Sequence, residues 1–395
     1  MANSNVDQIR AAAAFGVEAR RWLHRHPELG FHEQETMAYV ASRLREIGYE
    51  PETGIGGIYA VKAVLRGGRP GRTIALRADM DALPIQEATG LAYASEVAGI
   101  MHACGHDMHT ATLLAAAKLL KPMAPELAGN VVFIFQPAEE VPPGGARTLV
   151  EAGILENPHV DAVFGLHVDP FLPAGQLSFA PGATNAAADS FSIHIQGKGG
   201  HGAAPHQTID ALVVGAQVVT ALQQIHSRMI SPFDQLVISV GRFQAGTARN
   251  IIADDATLEG TVRTTSPQLR ERVVGLIEQV TAGVCATHGA TYKCTYEYGY
   301  PVLVNDATMT EVARAAAVAA VGADAVRRSE PGMYGEDFAY YAQQRPAAFG
   351  NLGAGDPAVG PAFPCHHPKL YVADEQAMPT GLAFYLNLVT AYLRQ

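Results

Sequence analysis

Apolar positions along the chain change their spacing, and the changes mark its parts. Residues 7–24 and 33–47 carry apolar side chains at helical spacing, the second run stopped by Gly48. Short, nearly continuous apolar runs follow: "IYAVKAVL" (58–65), "TIALRA" (73–78), "NVVFIF" (130–135) and "AVFGLHV" (162–168). Runs of this length, rich in β-branched and aromatic residues, predict strands buried on both faces. Helical spacing returns between them at 110–121, ended by Pro122, and at 146–152. Strand alternating with helix predicts an α/β domain, a mostly parallel sheet with helices on both faces.

Near residues 181–188 the pattern changes. "SFSIHIQG" alternates apolar with polar, as a strand with one buried face does. A long helix is predicted at 210–229, two consecutive strands at 236–244 and 256–263, a helix at 267–288 with Pro267 in its first turn, and a strand at 290–298. The order β-α-β-β-α-β predicts a ferredoxin-like α+β sandwich. After about Tyr300 helices and Gly/Pro-rich loops return, and a last helix at 380–393 is expected to pack on the main sheet. The expected organisation is a catalytic domain in two parts, 1–185 and 300–395, around an inserted domain at 186–299. A chain of 395 residues is too long for one ordinary core.

Composition narrows the partners. The net charge is −10 and no Lys/Arg-rich run stands out, so nucleic acid and anionic membranes are not expected to bind. The longest apolar runs fall short of a membrane span. "MANSNVDQIR" lacks the apolar core of a signal peptide, and a cytoplasmic location is expected. The four cysteines, Cys104, Cys285, Cys294 and Cys365, are too sparse for a disulfide framework. Cys104 and Cys365 stand beside histidines, where metal ligation is a live reading for at least one, while Cys285 and Cys294 read as buried structural thiols.

Polar clusters fall at the ends of the predicted strands. "RADMDALP" places Asp79 and Asp81 after 73–78, "QPAEE" places Glu139 and Glu140 after 130–135, and His167 ends 162–168. "HACGHD" supplies Cys104, His106 and Asp107 in a loop that opens a helix. Sites on open parallel sheets form at the carboxyl ends of strands. Cys104, His106, one of the glutamates and His167 make a sulfur, nitrogen and oxygen set suited to zinc, cobalt, manganese or nickel. Cys104 as thiolate can bridge two ions. Scattered ligands with carboxylates among them predict an open catalytic site rather than a closed structural one.

Adjacent side chains diverge on an extended backbone. One of Glu139 and Glu140 can therefore bind metal while the other handles the proton of a water whose pKa an ion lowers toward ~7. That is the equipment of hydrolysis. Asp107 is placed to cap the helix at Thr110, and Asp79 reads as a turn residue. Asp81 is the better candidate to orient a ligand histidine through its second ring nitrogen. His102 and His109 read as supporting or capping groups. Between His366 and His367 in "CHHP" the spacing does not choose.

Taken in order, "HRHPELGFHE", "LRADMDALPIQE", "MHACGHDMHT", "FQPAEE", "FGLHV", "GKGGHGAAPH" and "GEDFAYY" resemble the metal-dependent amidohydrolases that include hippurate hydrolase, bacterial N-acyl-amino-acid amidohydrolases and plant auxin-conjugate hydrolases. The resemblance implies two divalent ions held by Cys104, His106, Glu140, His167 and His366, with Glu139 as general base. It places Asp79 where relatives in the wider group carry a ligand histidine. It implies that the inserted domain is a lid and dimerisation domain, in a homodimer or higher homo-oligomer. His201 matches a histidine that reaches a substrate oxygen, Asn250 and Arg263 match substrate-binding residues, and Glu336 matches an acid that supports the site from behind. The expected reaction is hydrolysis of the amide bond of an N-acyl amino acid. A dipeptidase or carboxypeptidase on the same scaffold is the alternative, and a non-catalytic metal-binding protein is the reading from another class.

Overall fold

A computed structural model describes residues 2–394 of the chain. Two compact units form. The first takes residues up to Gly182, Val304–Glu330 and Asp337 onward; the second takes Ala183–Leu303 and Pro331–Glu336.

The sheet of the first unit runs, edge to edge, Glu52–Thr53, Val61–Arg66, Ala128–Gln136, Arg69–Asp79, Ala162–Pro173, Ala347–Gly355, Leu177–Ser178, Val326–Arg327. Its four long inner strands, from Ala128–Gln136 to Ala347–Gly355, pair in parallel, so the sheet is mostly parallel as the patterning predicts. Ile74, Leu76 and Ala78 share one face with Val131, Phe133 and Phe135, in one core with side chains of the helices Ala2–Arg25, His106–Leu120 and Asp374–Leu393. The alternate residues Ala75, Arg77, Val132 and Ile134 are equally buried on the other face. There the short helices Gly145–Glu151 and Ala339–Ala342 lie against the sheet. Burial on both faces explains why these strands read as continuous apolar runs.

Three elements differ from the expectation. The strand Ala347–Gly355, "AAFGNLGAG", was hidden by its glycines. They are demanded by close approach: a Cβ on Gly350 would sit 2.1 Å from the Phe179 ring, and one on Gly353 2.1 Å from the Pro173 carbonyl oxygen. The helix after the Cys104 loop begins at His106, four residues early, so Asp107 lies in its first turn and is not its cap. Asp107 is instead buried against two basic side chains, 2.8 Å from Arg20 Nε and 2.7 Å from His24 Nδ1. Burial alone would raise its pKa, but Arg20 and His24 outweigh burial and hold it well below the usual carboxylate range. The last helix likewise starts early, at Asp374.

In the second unit the sheet order is Leu236–Ala245, Asp255–Thr264, Ala187–Gln196, Thr291–Tyr300, antiparallel throughout. Phe191, Ile193 and Ile195 point from alternate positions into one core with the helices Ala211–Gln224 and Pro267–His288. Asp210 and Ser266 cap those helices through their side-chain oxygens. This is the ferredoxin-like arrangement the sequence predicts. Among the described residues no helix is long and apolar enough to cross a membrane.

Candidate metal centre

The carboxyl ends of the parallel strands collect the chemistry of the first unit. Arg69–Asp79 leads into Asp81, Ala128–Gln136 into Glu139 and Glu140, and Ala162–Pro173 carries His167. The helix His106–Leu120 begins at the same rim. Its first residue follows Gly105, whose φ is +82° and whose Cβ would meet Val168 Cγ2 at 2.4 Å, so only glycine fits the turn.

Ligand atoms of Cys104, His106 and Glu140 lie within 4.8 Å of one another, as do those of Cys104, His167 and Cys365. Cys104 belongs to both groups. Its Sγ lies 3.4 Å from His167 Nε2. His366 Nε2 lies 3.0 Å from Glu140 Oε1. His367, next in the chain, is turned aside: its ring stacks on Phe363 at 4.4 Å, and its Nδ1 accepts the Lys369 N–H. Of the two histidines, His366 is therefore the one beside Glu140.

The ring nitrogens are sorted by their other partners. His106 Nδ1 donates to Asp81 Oδ1 at 3.2 Å, and His167 Nδ1 donates to its neighbour's carbonyl, Val168 O, at 2.7 Å. Each leaves Nε2 toward the cluster, where a bound cation would take the place of its proton. Buried His106 Nε2 has no hydrogen-bond partner, while Asp79, Glu139 and Glu140 oxygens stand 3.8–4.0 Å away. Burial alone would lower the His106 pKa, but Asp79, Asp81 and Glu140 outweigh it and push it well up. Glu140 is held below the usual range despite burial, chiefly by His366. Such a site has more negative charge than its own side chains offset, and its lone pairs and oxygens suit a divalent cation.

Asp81 is the hub beneath. Besides His106 it accepts the Glu139 N–H at 3.0 Å and the Glu140 N–H at 2.9 Å, so one carboxylate fixes the imidazole and the glutamate loop together. The loop is bent by Ala138, whose φ of 57° is unusual for a residue with a Cβ. Its N–H is fastened to Glu33 Oε1 at 2.7 Å.

Asp79 and Asp337 take roles the sequence did not suggest, while His109 is a supporting group as expected. Asp79 is no turn residue: it ends its strand fully buried, bonded to Arg77 at 2.7 Å and to His109 Nδ1 at 2.5 Å. His109 also accepts the Val168 N–H on Nε2, so both its nitrogens are used. His102 is buried with neither ring nitrogen hydrogen-bonded, and burial pushes its pKa down to about 3. Asp337, beside the expected Glu336, accepts from Arg77, Gln136 and the Ala146 N–H behind the sheet. Its signal was available: an arginine inside an apolar strand needs a buried acid. Glu336 is itself buried, at the end of the segment that belongs to the second unit.

His201, Asn250 and Arg263 belong to the second unit. His201 pairs with Ile251 in a two-stranded ribbon, and Gly202 N–H donates to Asn250 O at 2.9 Å, so His201 and Asn250 are neighbours. Arg263 pairs with Ala188 and Val237, eight residues along its strand from Asp255, or roughly 26 Å of extended chain. Asp255 is at the ribbon's end of the strand, next to Asp254, which accepts the Gly199 N–H. Within one copy of this unit Arg263 is therefore not grouped with the other two.

An open parallel sheet with thiol, imidazole and paired carboxylates at its carboxyl rim defines a metal-dependent hydrolase. The chain belongs to peptidase family M20/M25/M40, whose profile matches residues 75–391. It is 46% identical over 300 residues to an N-acyl-L-amino acid amidohydrolase of Geobacillus stearothermophilus, covering 76% of this chain and 80% of that one. It is 38% identical to thermostable carboxypeptidase 1 of Saccharolobus solfataricus over 98% of this chain and 97% of that one. The crystal structure of a dinuclear metal-binding M20 peptidase from Bacillus subtilis superposes with a TM-score of 0.85 at 36% identity, covering 97% of this chain and 99% of that one.

Proposed function

We propose that the protein hydrolyses the amide bond of N-acyl amino acids at a centre of two divalent ions held by Cys104, His106, Glu140, His167 and His366. The observation that carries this reading is the convergence of Cys104, His106 and Glu140 ligand atoms within 4.8 Å, with Glu139 Oε2 4.0 Å from the same His106 nitrogen. Divalent ions bound there polarise the amide carbonyl and acidify water. Glu139 takes the proton from the attacking water and delivers it to the leaving nitrogen. Asp81 holds the base and two ligands in register, and Glu336 supports the site.

His201, Asn250 and Arg263 are the proposed substrate contacts of the lid, in a homodimer. His201 is exposed, and its Nδ1 accepts the Ala203 N–H, so its proton sits on Nε2, ready to donate to a substrate oxygen. The strand Leu236–Ala245 is a sheet edge carrying exposed Val237 and Phe243, the kind of edge a second copy can pair with.

The test is a panel of acetyl, benzoyl and indole-acetyl amino acids against dipeptides and peptides with a free carboxyl end, with added manganese, cobalt or zinc. The carboxypeptidase relative supports the second reading, peptide hydrolysis, which the same panel separates. Glu139→Gln is expected to lower kcat by at least ~100-fold while metal stays bound. Near wild-type turnover in that variant would remove Glu139 from its role.

A further inference from the structure

We propose that Cys365 is a further protein ligand of the metal centre, a second thiolate beside Cys104 that biases the centre toward thiolate-seeking cations such as zinc and cobalt and away from manganese. The proposal rests on the reading above that the centre binds divalent ions. Its basis is the second group at the rim: the ligand atoms of Cys104, His167 and Cys365 lie within 4.8 Å of one another. Two ligands on one tetrahedral zinc, one sulfur at ~2.3 Å and one nitrogen at ~2.0 Å, stand roughly 3.6 Å apart. Cys104 Sγ and His167 Nε2 already stand 3.4 Å apart. Two sulfurs on one such ion stand roughly 3.8 Å apart, so Cys365 needs a shift of at most about 1 Å to come into place.

The backbone supplies the reason this thiol faces its partner. His366 N–H donates to Ala103 O at 2.6 Å, which ties the residue after Cys365 to the residue before Cys104. Cys365 Sγ then lies 4.0 Å from the Cys104 carbonyl oxygen. His366 has a φ of 67°, and through this turn Cys365 and His366 both reach the cluster while His367 stacks on Phe363. Cys365 is half-buried, so it is sheltered yet able to move. Sharing Cys104 between the two groups lets one sulfur serve both ions, with Cys365 and His167 completing one of them. Soft thiolates favour zinc and cobalt, whereas carboxylate and imidazole alone would leave manganese competitive.

The experiment compares wild type with Cys365→Ser and Cys365→Ala in the full-length protein loaded with cobalt. The near-ultraviolet sulfur-to-cobalt charge-transfer band is expected to drop by about a third when Cys365 is lost, because Cys104 keeps its bonds to both ions. Zinc affinity, from competition with a chromophoric chelator, is expected to fall at least ~10-fold while manganese affinity stays within ~2-fold. Circular dichroism of the metal-free variants checks that they fold. Two cobalt ions bound with an unchanged band in both variants would overturn the assignment of Cys365 and leave the centre standing. A disulfide between Cys104 and Cys365 that persists in the metal-loaded protein would also overturn it. Wild-type protein that takes up no cobalt would overturn the metal centre itself, and this proposal with it.

Discussion

Asp81→Asn is the sharpest probe of how the centre is held. Asp81 is fully buried, and both its oxygens accept only N–H groups: Oδ1 from His106 Nδ1 and the Glu139 backbone, Oδ2 from the Glu140 backbone. Asparagine has nearly the same shape, but one oxygen becomes an NH2 group. A donor then faces a donor whichever way the amide turns. The less costly turn leaves the Glu140 N–H unsatisfied, at about 1–3 kcal/mol for a buried donor. The surviving bonds to His106 and Glu139 lose charge assistance, which weakens each by roughly half. We expect the metal-free variant to lose on the order of 2 kcal/mol or more in urea unfolding. Metal affinity, measured by chelator competition, should fall ~10- to 100-fold because His106 and the Glu139–Glu140 loop are no longer fixed. Excess metal should restore part of the lost turnover. A variant that keeps wild-type metal affinity within ~2-fold and unfolds at the wild-type urea midpoint would refute the argument that this carboxylate positions the ligands.

Other expectations follow from the same geometry. The Glu33 carboxyl has its pKa raised from 4.5 to about 8, by burial and then by Asp81. Its contribution to stability is therefore full below pH 4.5 and is lost as pH rises through 8. In chelator-treated protein Glu33→Gln should gain on wild type by about 1.4 kcal/mol per pH unit across that window, and a difference independent of pH would contradict the assignment. Gly105→Ala must place a Cβ 2.4 Å from Val168 Cγ2 at a φ of +82°, so a loss of about 2–4 kcal/mol in chemical denaturation is expected, and a neutral result would mean that the turn can relax. Asp107→Ala removes the shorter of two acidic contacts from each of Arg20 and His24, which keep Asp374 and Glu87 at 3.4 and 3.3 Å, so a loss of about 2–3 kcal/mol is expected in the same assay; a change below about 1 kcal/mol would show that the cluster rearranges.

Much of the fold is written in local pattern. Period-two and continuous apolar runs state which strands have one buried face and which have two, because the side-chain period of each element is fixed by backbone geometry. Hence the ferredoxin-like order and the covered parallel sheet could be read directly. The strand Ala347–Gly355 escaped because its glycines answer to Phe179 and Pro173, side chains and carbonyls far away in sequence. The helix start at His106 escaped for the same reason: Asp107 looks like a cap until Arg20 and His24 arrive from the first helix.

For the site, the sequence determined which chemistry is present: thiol and imidazole in a loop that opens a helix, and a histidine and paired carboxylates at the ends of predicted strands. Only the tertiary structure decided how each group is used. It sets Asp81 under two segments at once, engages both nitrogens of His109, turns His367 onto Phe363 and brings Cys365 to Cys104 across 261 positions of chain. A residue's type fixes which bonds it can make, but burial and the partners delivered by distant segments fix which of those bonds form.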